Sequence, residues 1–552
     1  MSAVTCRFLA EFEQKSPALV QWSPDGKYLA STHDSRLVIR DASSLKIIPG
    51  GVRPCGGSIS SLAWSPDSDM VLCTLCEAAT ILVFSLSRPD WSCKLREGVA
   101  GLATAMWAPS CRDIISTSGF GIHLSIWSLE DGRVWQVRQP KEAPGSIAFS
   151  ADGALLAVAT RRDCKDRIAL HDASRRGGAS GSGGGSSGGG GAWEALAEWQ
   201  PDTLDLVAIA WSPCGGALCV TDSPLRYAFL VYGLRGEPLA RFSAYENALG
   251  IGAAAAWSRD GALLALGSHD EVRAVVLSAV SQATVVAIVR KGDVANTAAL
   301  VRKARCAATA AAAPGITFED GVPDAPLPPA PTGAAAAKAA AAGGATAVRT
   351  LRWCPQSRYL ATVCDAAPRV LWVWDAGSGN SDDSGSSGAG GGAPALAAAV
   401  LFMRPVLTLA WRPAGGARLA VATGTRRVYL WEPPTERIGG GGGGGMGWLD
   451  APAAAAGGGP FRVVDARWHP AGGSLVMLSK DRMICVRLEE GGFSSDEGEG
   501  GGSLRGEQVL ELRSRLKKVD LSAIAESGGS DPEGGDENAL YSSGDEDLDE
   551  AW

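Results

Sequence analysis

WSPDGKYLAS, Trp22–Ser31, decides the fold, because it returns along the chain in recognisable variants. An aromatic, a Pro or polar turn and an apolar run recur as WSPDSDMVLC from Trp64, WAPSCRDIIS from Trp107, FSADGALLAV from Phe149 and WSPCGGALCV from Trp211. They continue as WSRDGALLAL from Trp257, WCPQSRYLAT from Trp353, WRPAGGARLA from Trp411 and WHPAGGSLVM from Trp468, which makes nine copies in 552 residues. The first four aromatics stand 42, 43 and 42 residues apart, within the roughly 40–45-residue period of a four-stranded propeller blade. Later gaps of 62, 58 and 57 residues enclose glycine-rich stretches, and 96 residues separate Trp257 from Trp353.

Each copy obeys one physical plan. The aromatic ends a short strand, as in SLAW at Ser61–Trp64. Ser-Pro-Asp-Gly then turns the chain, since Pro presets φ and Gly tolerates positive φ. A buried apolar strand follows, such as YLAS from Tyr28, and a third strand ends in VIRD from Val38, SIWS from Ser125, WVWD from Trp372 or VYLW from Val428. Strand, turn, strand, loop and strand make a meander. Such a sheet cannot bury both faces alone, so the sheets must stack around an axis. The expected fold is all-β, a WD-repeat β-propeller. One ring of eight or nine blades and seven blades plus a partial propeller both satisfy the repeat count. Residues 1–489 form the expected propeller, with low-complexity, disordered inserts near 175–191, 290–345, 377–394 and 434–460, read from their Gly, Ala and Pro content.

The charge is unevenly spread. Residues 490–552 hold 17 acidic and 5 basic residues, net −12, against 42 acidic and 46 basic, net +4, in residues 1–489, so the overall −8 belongs to the tail. A near-neutral body offers no broad basic footprint, and no nucleic-acid partner is expected. No stretch of roughly 18 apolar residues suited to crossing a bilayer occurs, and the N-terminal MSAVTCRFLAEFEQ lacks the apolar run of a secretory signal. No membrane role is expected, the chain reads as cytoplasmic, and its 13 cysteines read as reduced apolar fillers. In the acidic tail, Val509, Leu512, Leu516, Val519 and Ala523 fall on one helical stripe with Ser503 as N-cap, which predicts a short helix over 503–526. Leu512 and Leu516 on that stripe are candidate partner contacts. Ser494, Ser495, Ser542 and Ser543, each followed closely by acids, are candidate phosphorylation sites for an acid-directed kinase.

Residues fit for chemistry are sparse. The five histidines, His33, His123, His171, His269 and His469, lie in different blades and read as turn or strand-end hydrogen-bonding groups. Cys73 and Cys76 make a CxxC in a predicted strand, where an offset of three sends side chains to opposite faces and opposes chelation. Glycine runs such as GSGGGSSGGGG lack the Lys and the helix of a phosphate loop. No catalytic, cofactor-binding or metal-binding residues are assigned, and the chain is expected not to be an enzyme. The charged cluster RRDCKD, Arg161–Asp166, lies between two strands of the fourth blade. Its Arg161, Arg162, Asp163, Lys165 and Asp166 read either as a surface recognition loop or as an intrablade ion network. SAYENALGIG from Ser243 adds Tyr245 and Glu246 as candidate contacts.

Several segments also resemble one family in order and spacing over residues 15–490: RLVIRD at Arg36, WSCKLREGVAGL at Trp91, RRDCKD at Arg161, SAYENALGIG at Ser243, VLWVWD at Val370 and LSKDRMICV at Leu478. The chain resembles the WD-repeat-containing protein eight family, the centrosomal and spindle-pole WD-repeat proteins antisense to the p-fifty-three gene. That resemblance implies a non-catalytic scaffold at the centrosome, spindle pole or basal body, anchoring microtubule minus ends and supporting spindle assembly and ciliogenesis. It implies a coiled-coil anchoring protein and a minus-end-directed kinesin as partners. The glycine- and alanine-rich inserts and the tail after residue 490 depart from the family pattern. The W-x-P-x-G blades also fit a translation-initiation-type propeller bound to ribosomes, which lacks the quoted segments.

Overall fold

The computed structural model describes residues 2–488 apart from 5, 14–18, 143–144, 175–192, 194, 224–227, 244–250, 262, 269–273, 279–283, 288–315, 319–347, 366–367, 377–394, 434–444 and 453–460. The predicted helix over 503–526 lies outside the described residues. Among the described residues the chain forms nine antiparallel meanders, each opened by one of the repeated aromatics. The first blade runs through Val20–Trp22, Tyr28–His33, Arg36–Asp41 and Ile47–Pro54, and the second, third and fourth open at Ser61–Trp64, Thr104–Trp107 and Ile147–Phe149.

The Ser-Pro-Asp-Gly turn works through its serine. The hydroxyls of Ser23, Ser65, Ser150 and Ser258 accept the N–H of the residue that resumes the next strand, each at 2.9 Å. Each also donates to the aspartate two positions on, at 2.5–2.6 Å. The turn therefore holds its own polar groups while the flanking strands stay apolar. The second strand of a blade is buried on both faces, as in Met70–Leu75 and Tyr359–Cys364, because neighbouring sheets cover it from either side. Outer strands such as Ser92–Arg96 and Val134–Arg138 alternate exposed and half-buried positions, as expected of an edge with one wet face.

A tryptophan relay ties the blades into one ring. Trp64, Trp107 and Trp211 donate their indole N–H to the backbone carbonyls of Gln21, Ala63 and Ala148, one residue before the equivalent aromatic of the preceding blade. Trp353, Trp411 and Trp468 do the same to Ala256, Arg352 and Ala410. Trp22 closes the circle on Arg467, at 3.4 Å. Two stations differ: Phe149 has no N–H to give, and the Trp257 indole nitrogen is buried without an acceptor. Apolar clusters fill most of the seams, joining for example Leu72 and Val83 to Trp107 and Ile114, and Val20 and Leu29 to Val476 and Met483. Of the arrangements open to the repeat count, the nine-membered ring is the one observed.

The last blade is completed from the other end of the chain. Cys6–Glu13 pairs antiparallel with Arg482–Leu488 as its fourth strand, and Ser2–Ala3 pairs parallel with Gly445–Asp450 of the eighth blade. Two stretches that composition marks as insert contain strands. Gly445–Asp450, inside 434–460, is the eighth blade's outer strand, and Ile316–Phe318, inside 290–345, adds in parallel to Ala395–Leu401. Each adds a short strand to a sheet edge, and edge pairing outweighs the local glycine and alanine content.

Candidate interaction surface

RRDCKD forms a tight hairpin between Leu155–Arg162 and Lys165–Asp172, with Arg162 opposite Lys165. Asp163 and Cys164 both adopt left-handed backbone, φ 50 and 60, the two-residue geometry that matches strand twist. The hairpin divides its residues between the two readings the sequence leaves open. Arg161 and Asp166 belong to an ion network that spans more than one blade. Lys141 donates to Asp166 at 2.7 Å and to Asp205 at 2.6 Å, and Arg161 donates to Asp205 at 2.6 Å. The backbone N–H of Leu206 also reaches Asp166, at 2.6 Å. Lys141 and Asp166 side chains are only 9% and 4% exposed, so these charges lock the connections on either side of the fourth blade. The Lys141 ammonium and the Arg161 guanidinium hold the Asp205 carboxyl below its ordinary value. Arg162, Asp163 and Lys165 form the exposed tip. Tyr245, Glu246, Leu512, Leu516, Ser494, Ser495, Ser542 and Ser543 lie outside the described residues.

The same rim carries a feature that sequence reading missed. Val99 and Phe120, on the turns Gly98–Ala100 and Gly119–Gly121, are 108% and 91% exposed, with Ile122 beside them at 53%. Phe120 sits at φ 58, a conformation costly for a residue with a Cβ. The two turns touch through Gly119 N–H to Gly101 O at 3.4 Å. Below them Glu97, 2% exposed in its side chain, accepts from Trp127 Nε1 at 3.2 Å, Ser125 Oγ at 3.3 Å and Ser116 Oγ, with His123 Nε2 at 3.1 Å. That buried network fixes both turns. Ile122 O then accepts from Gln139 N–H at 3.1 Å, and Gln139 O from Arg161 N–H at 3.0 Å, which makes the rim continuous from the apolar knobs to the charged hairpin. The signal in the sequence is GFGI, a phenylalanine between two glycines.

The other described histidines and the CxxC cysteines each make local contacts. His171 donates through Nδ1 to Trp193 O at 3.0 Å, and burial pushes its pKa below the ordinary value. His469 packs edge-on against Trp22 with Nε2 2.7 Å from Gly26 O, and His33 is exposed beside Asp34. His269 lies outside the described residues. Cys73 is buried against Cys55, while Cys76 follows the strand and its thiol lies 3.5 Å from Ala103 O. Among the described residues no group of three His, Cys, Asp or Glu is placed to hold a metal. A cleft of about 970 Å³ opens where the ring closes, lined in part by Lys27, Asp41, Arg412, Arg418, His469 and Arg487.

The mouse WD repeat-containing protein WRAP73 is 31% identical to this chain over 494 residues, covering 86% of the chain and 94% of that protein. The chain belongs to the WRAP73 family of WD-repeat proteins. No family model matches it. Among solved structures, the β-propeller domain of Myceliophteria thermophila Cps50 (Swd1) aligns over 88% of this chain and 100% of its own at 11% identity and TM-score 0.38. The C-terminal WD40 domain of Sif2 aligns over 88% and 99% at 10% identity and TM-score 0.45. Membership of the WRAP73 family accords with a protein-interaction scaffold, and the rim of this chain exposes side chains that its own core does not need.

Proposed function

We propose that the chain is a non-catalytic scaffold that works in the cytoplasm at the microtubule-organising centre, at the centrosome, spindle pole or basal body. There it supports minus-end anchoring, spindle assembly and ciliogenesis. Its proposed partners are a coiled-coil anchoring protein and a minus-end-directed kinesin. The observation that carries the scaffold reading is the continuous rim on which Val99, Phe120, Ile122, Arg162 and Lys165 are presented by turns that buried polar networks hold in place. Exposed apolar groups on rigid loops lose little entropy on association, which favours docking. The cellular setting is supported by family membership and by the six segments quoted above.

Tagged full-length chain should concentrate at spindle poles in dividing cells and co-sediment with basal bodies. Co-migration with polysomes instead would replace this reading with the ribosome-bound alternative. Phe120→Ser combined with Arg162→Glu should release partners while the ring melts as before, and unchanged partner recovery would move the docking surface elsewhere.

A further inference from the structure

The cleft where the ring closes is built from three blades. Lys27 and Asp41 come from the first, Arg412 and Arg418 from the eighth, and His469 and Arg487 from the ninth. Four of its lining side chains are cationic and one is acidic. Lys27 lies 3.3 Å from Asp25, and Arg418 pairs with Glu432, both acids outside the lining. Asp41, the acid in the lining, directs one carboxylate oxygen to the N–H and hydroxyl groups of Ser43 and Ser44, at 2.6–3.1 Å. Those bonds hold its pKa down at about 2.

Arg487 is different. It is exposed, and among the described residues it has no carboxylate partner. The residue directly opposite it across the closing strand pair is Arg7, also exposed. Directly opposed residues on antiparallel strands project to the same face about 4.5–5.5 Å apart, and like charges there repel. The seam that closes the ring thus carries a like-charge pair on the border of a positively lined cleft.

We infer that this cleft docks an acidic, glutamate-rich extended peptide of a partner protein. An anionic chain laid along it relieves the Arg7–Arg487 repulsion. The volume favours a peptide over a free inorganic anion, since clefts of about 300–1,000 Å³ enclose whole drug-sized ligands. The inference rests on the scaffold reading for its biological sense, but its chemistry is independent of where the chain resides in the cell.

The test uses full-length chain and a short fluorescein-labelled peptide of alternating Glu and Gly, followed by anisotropy. Binding should appear at low ionic strength and weaken as salt rises toward about 0.15 M, where the screening length is about 8 Å. The double variant Arg7→Glu with Arg487→Glu should lose about tenfold or more in affinity. Arg7→Lys with Arg487→Lys should keep it, and Arg162→Glu on the distant rim should leave it unchanged. Both seam positions are exposed, and equal melting of the variants confirms folding. Unchanged affinity in the charge-reversed variant overturns the inference. So does equal binding of a Lys-Gly peptide, or displacement of the Glu-Gly peptide by equimolar inorganic phosphate, which would mark a small-anion site. Failure of the scaffold reading shows separately, as loss of cellular partners and localisation with peptide binding intact.

Discussion

Replacing Trp107 and Trp257 by phenylalanine, one at a time, separates the two contributions of the tryptophan relay. Trp107 is 8% exposed and donates to Ala63 O at 3.2 Å. Phenylalanine keeps most of the ring area but removes the donor, costing about 1 kcal/mol for the hydrogen bond and about 1 kcal/mol for lost apolar contact. Trp257 occupies the equivalent station with its indole nitrogen buried and without an acceptor. Removing an unsatisfied donor returns about 1–3 kcal/mol of desolvation penalty, which offsets the same loss of contact. Trp107→Phe should therefore destabilise the ring by about 2 kcal/mol, and Trp257→Phe by close to zero. Trp107→Ala, which also empties the seam, should cost about 3–5 kcal/mol. Urea unfolding followed by circular dichroism, at unchanged transition slope, measures the differences. Equal costs for the two phenylalanine variants would refute the relay as an energetic contributor, and a harmless Trp107→Ala would refute the buried seam itself.

Gly26→Ala should loosen ring closure, because φ is +75 and an added Cβ would lie 2.6 Å from the His469 ring; limited proteolysis of the N-terminal strand should accelerate. Asp166→Asn leaves the nearly buried Lys141 without its deepest counter-ion and should cost on the order of 3 kcal/mol by denaturation. For His171 the folded pKa lies below the ordinary value of 6.5 because burial disfavours the cation. Its contribution to stability is present above about pH 6.5 and is lost as pH falls toward the folded value, so His171→Gln should flatten the melting-temperature profile below pH 6.5. In the acidic tail, Leu512→Asp with Leu516→Asp should reduce partner recruitment while the ring melts unchanged, as read by co-purification and thermal unfolding.

The sequence determined the blade unit, because its rules are local. A serine hydroxyl within five residues of the N–H it accepts, a glycine at positive φ and an apolar run are all contained in a ten-residue copy such as Trp22–Ser31. It also marked RRDCKD as charged and turn-like, and left its role divided, since Asp205 and Lys141, which claim Arg161 and Asp166, lie tens of residues away. Only the tertiary structure decided what depends on distant pairing. Ring closure joins Cys6–Glu13 to Arg482–Leu488, and no local periodicity announces a strand whose partner is at the other end of the chain. The blade count follows from Trp22 reaching Arg467, a contact between residues that composition treats as unrelated. The exposed Phe120 left only a local mark, a phenylalanine between two glycines in GFGI, and an aromatic in a blade repeat reads first as core. Only the structure shows it 91% exposed on a turn beside the buried Glu97–His123 contact.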